Sequence, residues 1–175
     1  MDYKGFSLHE LRSYFSYNPD TGMIVRLISS STGPGKAGDI TGSLDGNGYL
    51  AIKHKCKRLL AHRLAWFIST GEISKNLQID HINGDRSDNR LSNIRMVTCA
   101  VNAKNRARSL RNTSGCTGVS WDKSSGKWHA RISNDGKRVS IGVYDDLNDA
   151  IAARKKAEQD FGYHKNHDRE ATSGL

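Results

Sequence analysis

The sequence predicts an α+β protein built from two small units, and three observations carry that expectation. Strand-like runs fall at 23–28, 49–54, 77–81, 93–97, 117–122, 127–133 and 137–143, interleaved with helices near 7–16, 59–69, 99–108 and 146–161. Residues 109–116 (SLRNTSGC) are polar and without periodicity, which predicts a linker between the units. The apolar share is 36% of 175 residues, which suits two modest cores better than one large one.

Each element has a local reason. Ser7 and Glu10 have capping-box spacing, and Leu8, Leu11, Tyr14 and Phe15 follow at helical intervals. Asn18–Gly22 (NPDTG) is turn chemistry before the strand at 23–28. Residues 29–48 are rich in Gly and Ser and read as loop and hairpin, a β-rich N-terminal extension. In 59–69, Leu60, Leu64, Phe67 and Ile68 share a helical face, and Gly71 suits the stop. The strands at 77–81 and 93–97 flank a loop containing the turn Asn83-Gly84-Asp85, and Thr98 can cap the helix at 99–108.

Beyond the linker, Lys123–Gly126 and Asn134–Gly136 read as turns between three strands. Asp146 can cap a helix ending at Gly162, with Leu147, Ala150, Ile151, Ala157 and Phe161 on one stripe. The tail from Tyr163 is polar and expected to be flexible. The expected domains are 1–108 (core about 48–108) and 117–162, joined by 109–116 and followed by 163–175.

Bulk chemistry narrows the function classes. No apolar run reaches the ~20 residues of a membrane span. The first ten residues lack the basic-then-apolar form of a signal peptide, so a cytoplasmic address is expected. Cys56, Cys99 and Cys116 are odd in number and far apart. That argues against a disulfide framework and a cysteine-type zinc site. The net charge is +9 and is concentrated. Residues 101–140 hold nine Lys or Arg against Asp122 and Asp135. A second cluster is Lys53, Lys55, Lys57, Arg58 and Arg63. Concentrated positive charge points to a polyanion, with nucleic acid the usual one.

The informative segment is Asp80-His81, with Asn93 thirteen and Asn102 twenty-two positions after Asp80. These residues resemble the HNH nuclease family, in which two strands and a helix pinch one divalent metal ion. The stretch from about Gly48 to Arg106, including Ala61-His62-Arg63-Leu64-Ala65-Trp66, resembles the phage and intron-encoded homing branch. The resemblance implies a ββα-metal nuclease core that hydrolyses phosphodiester bonds of double-stranded DNA.

The chemistry accounts for the residue types. His81, with an ordinary pKa of ~6.5, suits a general base. Asp80 and Asn102 supply hard oxygen ligands suited to Mg²⁺ or Mn²⁺. By the resemblance, Asn93 tethers the loop that orients His81. The third position is Asn102 rather than His, so zinc is not expected. Adjacent strand residues point to opposite faces, so Asp80 and His81 can share a cleft only where the strand bends or ends. His62 is expected to pack its helix. His9, His54, His129, His164 and His167 show no ligand spacing and are expected at the surface.

Residues 115–162 resemble the APETALA2/ethylene-response-factor (AP2/ERF) DNA-binding domain. The resemblance is carried by Gly118-Val119, Gly126-Lys127-Trp128, Ala130-Arg131-Ile132, Ile141–Tyr144 and Ala150. It implies a three-stranded antiparallel sheet packed on one helix, with the sheet in the major groove. Alternation predicts Val119, Trp121, Trp128, Ala130, Ile132, Val139 and Ile141 toward the helix. It leaves Ser120, Asp122, His129, Arg131, Ser133, Arg138 and Ser140 on the other face. Lys127, His129, Arg131, Lys137 and Arg138 are the candidate DNA contacts here, and Lys104, Arg106 and Arg108 those around the first helix of the basic stretch. Ser120 and Ser140 stand where the plant family carries Arg and Trp, so plant target specificity does not transfer.

The expectation is therefore a site-specific, homing-type DNA endonuclease acting as a monomer or homodimer on DNA. The alternatives are a non-catalytic DNA-binding protein or repressor with a degenerate nuclease core, and an RNA-directed protein. The RNA reading is disfavoured because the A-form major groove is too narrow for a sheet.

Overall fold

The computed structural model describes residues 2–31, 35–134 and 136–170. The expectations for the loop at 32–34, for Asp135 and for 171–175 lie outside these residues. In chain order the elements are β1 (Asp2–Tyr3), β2 (Phe6–Ser7), α1 (Leu8–Tyr14), β3 (Phe15–Tyr17), β4 (Ile24–Arg26), β5 (Ser43–Leu44), β6 (Leu50–His54) and β7 (Lys57–Leu60). There follow α2 (Ala61–Thr70), β8 (Gln78–His81), a 3₁₀ turn at Leu91–Asn93, β9 (Ile94–Val97), α3 (Cys99–Ala103), β10 (Val119–Asp122), β11 (Lys127–Asn134), β12 (Lys137–Tyr144) and α4 (Leu147–Asp160). The fold is α+β, with small antiparallel sheets, and divides into two units at Thr98/Cys99. No helix among the described residues is long and apolar enough to cross a membrane.

The first unit is organised around α2. Leu64, Phe67 and Ala61 are buried on it against Leu11 and Phe15 of the N-terminal elements, Ile52 and Leu59 of the β6–β7 hairpin, and Ile79 and Ile94 of the β8–β9 ribbon. Each large side chain so buried contributes ~1.5–3 kcal/mol. Gly71 ends α2 in the left-handed region (φ 76°), where a side chain is costly, as the sequence predicts. Ser7 caps α1 by accepting from the Glu10 backbone N–H at 3.1 Å.

Four strands are absent from the sequence reading: the short β1, β2 and β3 around α1, and β7. Residues 57–60 form β7, paired with β6 (His54↔Lys57, Ala51↔Leu60), and α2 begins at Ala61. The connection is a two-residue turn with Lys55 and Cys56 both at positive φ (43° and 59°). Asn and Gly signal such turns; Lys and Cys do not. Lys53, Lys55, Lys57 and Arg58 of the basic cluster therefore lie on a hairpin, and Arg63 lies on α2. His54, expected at the surface, is 4% exposed, with the rings of Phe6, Tyr14 and Phe15 4.6–5.2 Å away.

The second unit is a sheet of order β10-β11-β12 with α4 packed on one face. Val119, Ala130, Ala150 and Cys116 form its small core, flanked by Trp128, Ile141, Tyr144, Leu147 and Ile151. Asp146 caps α4 by accepting from the Asn148 N–H at 2.6 Å. Gly118 (φ 87°) lies where a Cβ would come 2.4 Å from the Arg131 carbonyl oxygen, so only glycine fits that close approach.

Three expectations fail in this unit. First, α3 spans only Cys99–Ala103, not 99–108. After it, Asp168 N–H donates to the Arg106 carbonyl (2.9 Å) and Arg108 N–H to the Arg169 carbonyl (2.8 Å). Tertiary partners thus replace the helical ones. Second, 109–116 is not a free linker throughout. Ser114 is buried and its Oγ donates toward the Cys116 and Val119 carbonyls, while Cys116 is 1% exposed.

Third, residues 163–170 are packed rather than loose. Asp168 is buried, accepts from the Thr117 N–H at 2.8 Å and pairs with Lys155 at 3.0 Å. His167, expected at the surface, is buried beside the Tyr163 ring, 4.6 Å away. The inner face of α4 changes character along its length, from Ala150 to Arg154, Ala157 and Glu158. Arg154 is 2% exposed and pairs with Glu158 at 3.0 Å. The apolar stripe read from the sequence covers only part of what the helix buries.

Candidate active site

The β8–β9 ribbon pairs Asp80 with Arg95 and His81 with Ile94. β8 ends on His81, so the chain leaves strand geometry where the two candidate residues meet. Asp80 and His81 are both buried, at 6% and 4% exposure. Their side chains have different partners. Asp80 Oδ2 accepts from Arg95 Nε (3.0 Å) and Nη2 (2.8 Å). His81 Nε2 lies 3.2 Å from Asn89 Oδ1. Asn89 Nδ2 is committed to the Ser87 carbonyl (3.1 Å), so it is the amide oxygen that faces His81. In neutral His81 that oxygen draws the proton to Nε2 and leaves the basic lone pair on Nδ1. Burial, the largest influence, pushes the His81 pKa below the ordinary histidine value, against the hydrogen bond to Asn89 and the charges of Asp80, Asp85 and Asp88.

Asn93 holds the loop between the strands. Its Oδ1 accepts from the Asn83 N–H (3.0 Å), and its Nδ2 donates to the Asp88 carbonyl (2.8 Å). The Asn93 carbonyl accepts from the Ile82 N–H at 2.8 Å. Within the loop, Asn83 Nδ2 donates to Asp88, Asp85 accepts from Ser87, and Asp88 forms a two-bond pair with Arg90. Asn83 and Asp85 are thus turn formers, as their residue types suggest. Asn93 ties the loop at Asn83 and Asp88, and Asn89, which holds His81, ties it at Ser87.

Sequence reasoning missed Asn89, Arg95 and Tyr49. Asn89 and Arg95 sit in a long loop and across a strand pair whose register the loop does not specify. Tyr49 precedes β6, and its ring centroid is 6.0 Å from that of His81. His62 on α2 is 5% exposed and meets His81 edge to face at 5.0 Å. Burial, then the neighbouring His81 and Arg63, holds the His62 pKa at about 3. Asn102 lies half-buried on α3, in the second unit.

In that unit the outer sheet face carries Ser120 opposite His129, Arg131 opposite Ser140 and Ser133 opposite Arg138. A bulge shifts the register between Ala130 (paired with Gly142) and Arg131 (paired with Ser140). Val143 therefore joins His129 on the outer face, where it is 48% exposed. On the helix side, Val119, Ala130 and Ile132 are buried, but Trp121 and Val139 are exposed. Trp121 is on an edge strand and Val139 near the β11–β12 turn, at the sheet margins.

His129 Nδ1 is 3.0 Å from Arg131 Nη2, and its Nε2 is 3.4 Å from Asp122. Asp122 itself is held at a pKa of about 2 by hydrogen bonds from Ser124 and Ser125. Lys137 and Arg138 are exposed, and Lys127 pairs with Asp145 at 2.9 Å. Arg106 is exposed, whereas Lys104 donates to the Phe161 carbonyl (2.8 Å) and Arg108 to the Gly115 carbonyl (2.7 Å). Among the described residues, Cys116, Glu158 and Asp168 lie together with ligand-type atoms within 4.8 Å. Lys155 already bridges Glu158 and Asp168 there, and burial pushes the Cys116 thiol up to about 11, so the cluster reads as a structural ion-pair network.

Comparison with known proteins bears on the first unit and the start of the second. Residues 59–104 match the family model described as HNH endonuclease. The chain is 34% identical over 77 residues to Protein 3.8 of Escherichia phage T7, which covers 44% of this chain and 64% of that protein. It therefore spans less than two thirds of that relative. A solved structure of DNA binding and cleavage by the HNH homing endonuclease I-HmuI aligns over 57% of this chain and 55% of that one, at 20% identity and a TM-score of 0.43. Residues 59–104, which include α2, Asp80, His81, Asn93 and Asn102, are thus similar to the HNH endonuclease domain.

Proposed function

We propose that the protein is a divalent-metal-dependent, site-specific DNA endonuclease of the homing type. The observation that carries this reading is the β8–β9 ribbon, where a buried imidazole, a buried carboxylate and the asparagine that ties their loop sit within the segment similar to HNH endonucleases.

His81 is the general base. Kept neutral by burial, it can take a proton from the attacking water on Nδ1 while Asn89 holds Nε2. Asn93 is a positioning residue that keeps the loop closed over that imidazole. Asp80 is the metal ligand on this ribbon. Arg95 donates twice to Asp80 Oδ2 and so orients the carboxylate, whose hard oxygens are the kind a divalent cation takes. Asn102 is assigned as a further oxygen ligand on its sequence spacing alone. When bound, Mg²⁺ or Mn²⁺ would stabilise charge on the scissile phosphate and the departing oxygen.

The sheet of the second unit is proposed to add affinity and register on duplex DNA. The sheet leaves one face uncovered by the helix, and that outer face presents His129, Arg131 and Arg138, with Lys127 and Lys137 at the strand starts. Arg131, steadied by His129, is the best-placed candidate for a base or phosphate contact.

One observation favours a second reading, a non-catalytic DNA-binding protein. A guanidinium already neutralises Asp80, as expected of a carboxylate that no longer serves a metal. Incubation with phage genomic DNA and Mg²⁺ or Mn²⁺, followed by end mapping, separates the two. Defined ends that depend on the metal and vanish in His81→Ala support the nuclease. Full duplex binding with no metal-dependent cutting supports the second reading. RNA outcompeting duplex DNA would overturn both.

A further inference from the structure

The histidine left without a task is His62. It is the second residue of α2 and is 5% exposed, and its ring lies 5.0 Å from His81 at an interplanar angle of 82°. Tyr49 stands against both rings, 5.0 Å from His62 and 6.0 Å from His81. Arg86, from the loop that follows His81, lies over Tyr49 at 4.9 Å and donates to the Asn47 carbonyl at 2.8 Å. His81 is thus bounded by two rings and by Asn89.

His62 Nδ1 is buried and has no hydrogen-bond partner among the described residues. The contact with His81 is therefore one of shape and ring electrostatics rather than proton sharing. A helix N-terminus and the neighbouring Arg63 also disfavour a positive charge on His62. The ring is a neutral wall, carried by the best-packed helix of the first unit, against the imidazole proposed to do the chemistry.

We propose that His62 is a positioning residue for His81: its ring, with Tyr49, fixes the plane of the His81 imidazole so that the lone pair faces the reacting water. This rests on the nuclease reading above. A hydrogen bond at Nε2 fixes a distance but leaves the ring free to rotate about that axis, and an edge-to-face neighbour removes that freedom. Small misplacements of a catalytic group cost rate steeply, up to ~100-fold for about 1 Å.

The test compares His62→Ala and His62→Phe with the parent chain. Cleavage of phage genomic DNA with Mn²⁺ is followed beside thermal unfolding, and the His81 ring signals are read in ¹H–¹³C NMR spectra. His62→Ala is expected to lower kcat roughly ten- to a hundredfold with little change in KM. Its His81 ring signals should move or broaden. His62→Phe, which keeps a flat ring and lacks the nitrogens, is expected to recover most of the rate and the parent's ring signals.

Phe and Ala variants that are equally slow would mean the imidazole itself is needed, and would overturn a positioning role. So would parent-like kcat and ring signals in a folded His62→Ala. If the parent chain cuts no DNA, the nuclease reading fails. The NMR comparison still decides whether His62 orders His81.

Discussion

The two units both bury polar side chains, but they do so differently. In the first, Asp80, His81, Asn89, Asn93 and His62 cluster around one ribbon, and apart from the Arg95–Asp80 pair their partners described above are neutral amides, carbonyls and rings. In the second, Arg154, Glu158, Lys155 and Asp168 form a network of opposed charges that joins α4 to the residues after it, with neutral His167 buried beside them. Neutral partners orient a titratable group without consuming its chemistry. Opposed charges satisfy one another and leave little reactivity. The difference separates a candidate site from a structural clasp, and mutations should separate them too.

The largest contrast is expected from His81→Ala. It should reduce metal-dependent cleavage by at least ~10²-fold, the usual share of a general base, while duplex binding in a gel-shift assay persists. Cleavage equal to the parent, with contaminating nuclease excluded, would remove His81 from the mechanism.

Glu158→Ala should act in the opposite sense. It leaves Arg154 buried without its carboxylate, and denaturant unfolding should show a loss of about 3 kcal/mol. Any metal-dependent cleavage should be unaffected at temperatures where the variant is folded. A variant as stable as its parent would show that the clasp is not holding the unit together.

Asn93→Ala is intermediate. It unties two hydrogen bonds of the 82–90 loop, so stability should fall by about 1–2 kcal/mol and kcat should fall by more than KM rises. Equal losses in all variants of this loop, including solvent-facing ones, would count against a special role for Asn93.

Acid should weaken both units. His62 and His167 have folded-state pKa values of about 3 and about 4, below the ordinary ~6.5. A depressed folded value means the unfolded chain binds the proton first as pH falls. The contribution is therefore fully present above ~6.5 and is lost progressively from there down through about 4 and about 3. Urea midpoints measured between pH 7 and pH 4 should decline, and His167→Phe should flatten the part of the decline that belongs to the second unit.

The smallest effects are expected at the outer sheet face. Lys137→Ala and Arg138→Ala should each reduce the salt slope of duplex binding by ~0.9 if the residue meets a phosphate. Cleavage at low salt should barely change. A salt slope unaltered in both variants would mean the sheet does not lie on the DNA backbone.

Much of this was legible in the sequence, and the reasons are local. The stop of α2 at Gly71, the caps at Ser7 and Asp146, and the three strands of the second unit all follow from neighbouring residues. Asp80, His81 and Asn93 stand out as candidates because their spacing resembles that of the HNH family, and the segment matched to the HNH endonuclease family model, 59–104, contains all three.

What the sequence could not show depends on long-range pairing. The Lys55-Cys56 turn lacks the usual residue types, so β7 was hidden until its pairing with β6 was seen. Arg95 on Asp80 and Asn89 on His81 depend on a register across a long loop. Residues 163–170 look soluble because they are polar, and they are packed because their charges find partners on α4 and at Thr117.

Local propensity and spacing determined most of the elements and nominated Asp80, His81, Asn93 and Asn102 as candidates. Only the tertiary structure decided which of those residues are buried and what holds each one. Burial and pairing are properties of segments far apart in the chain, and no window of sequence contains both partners.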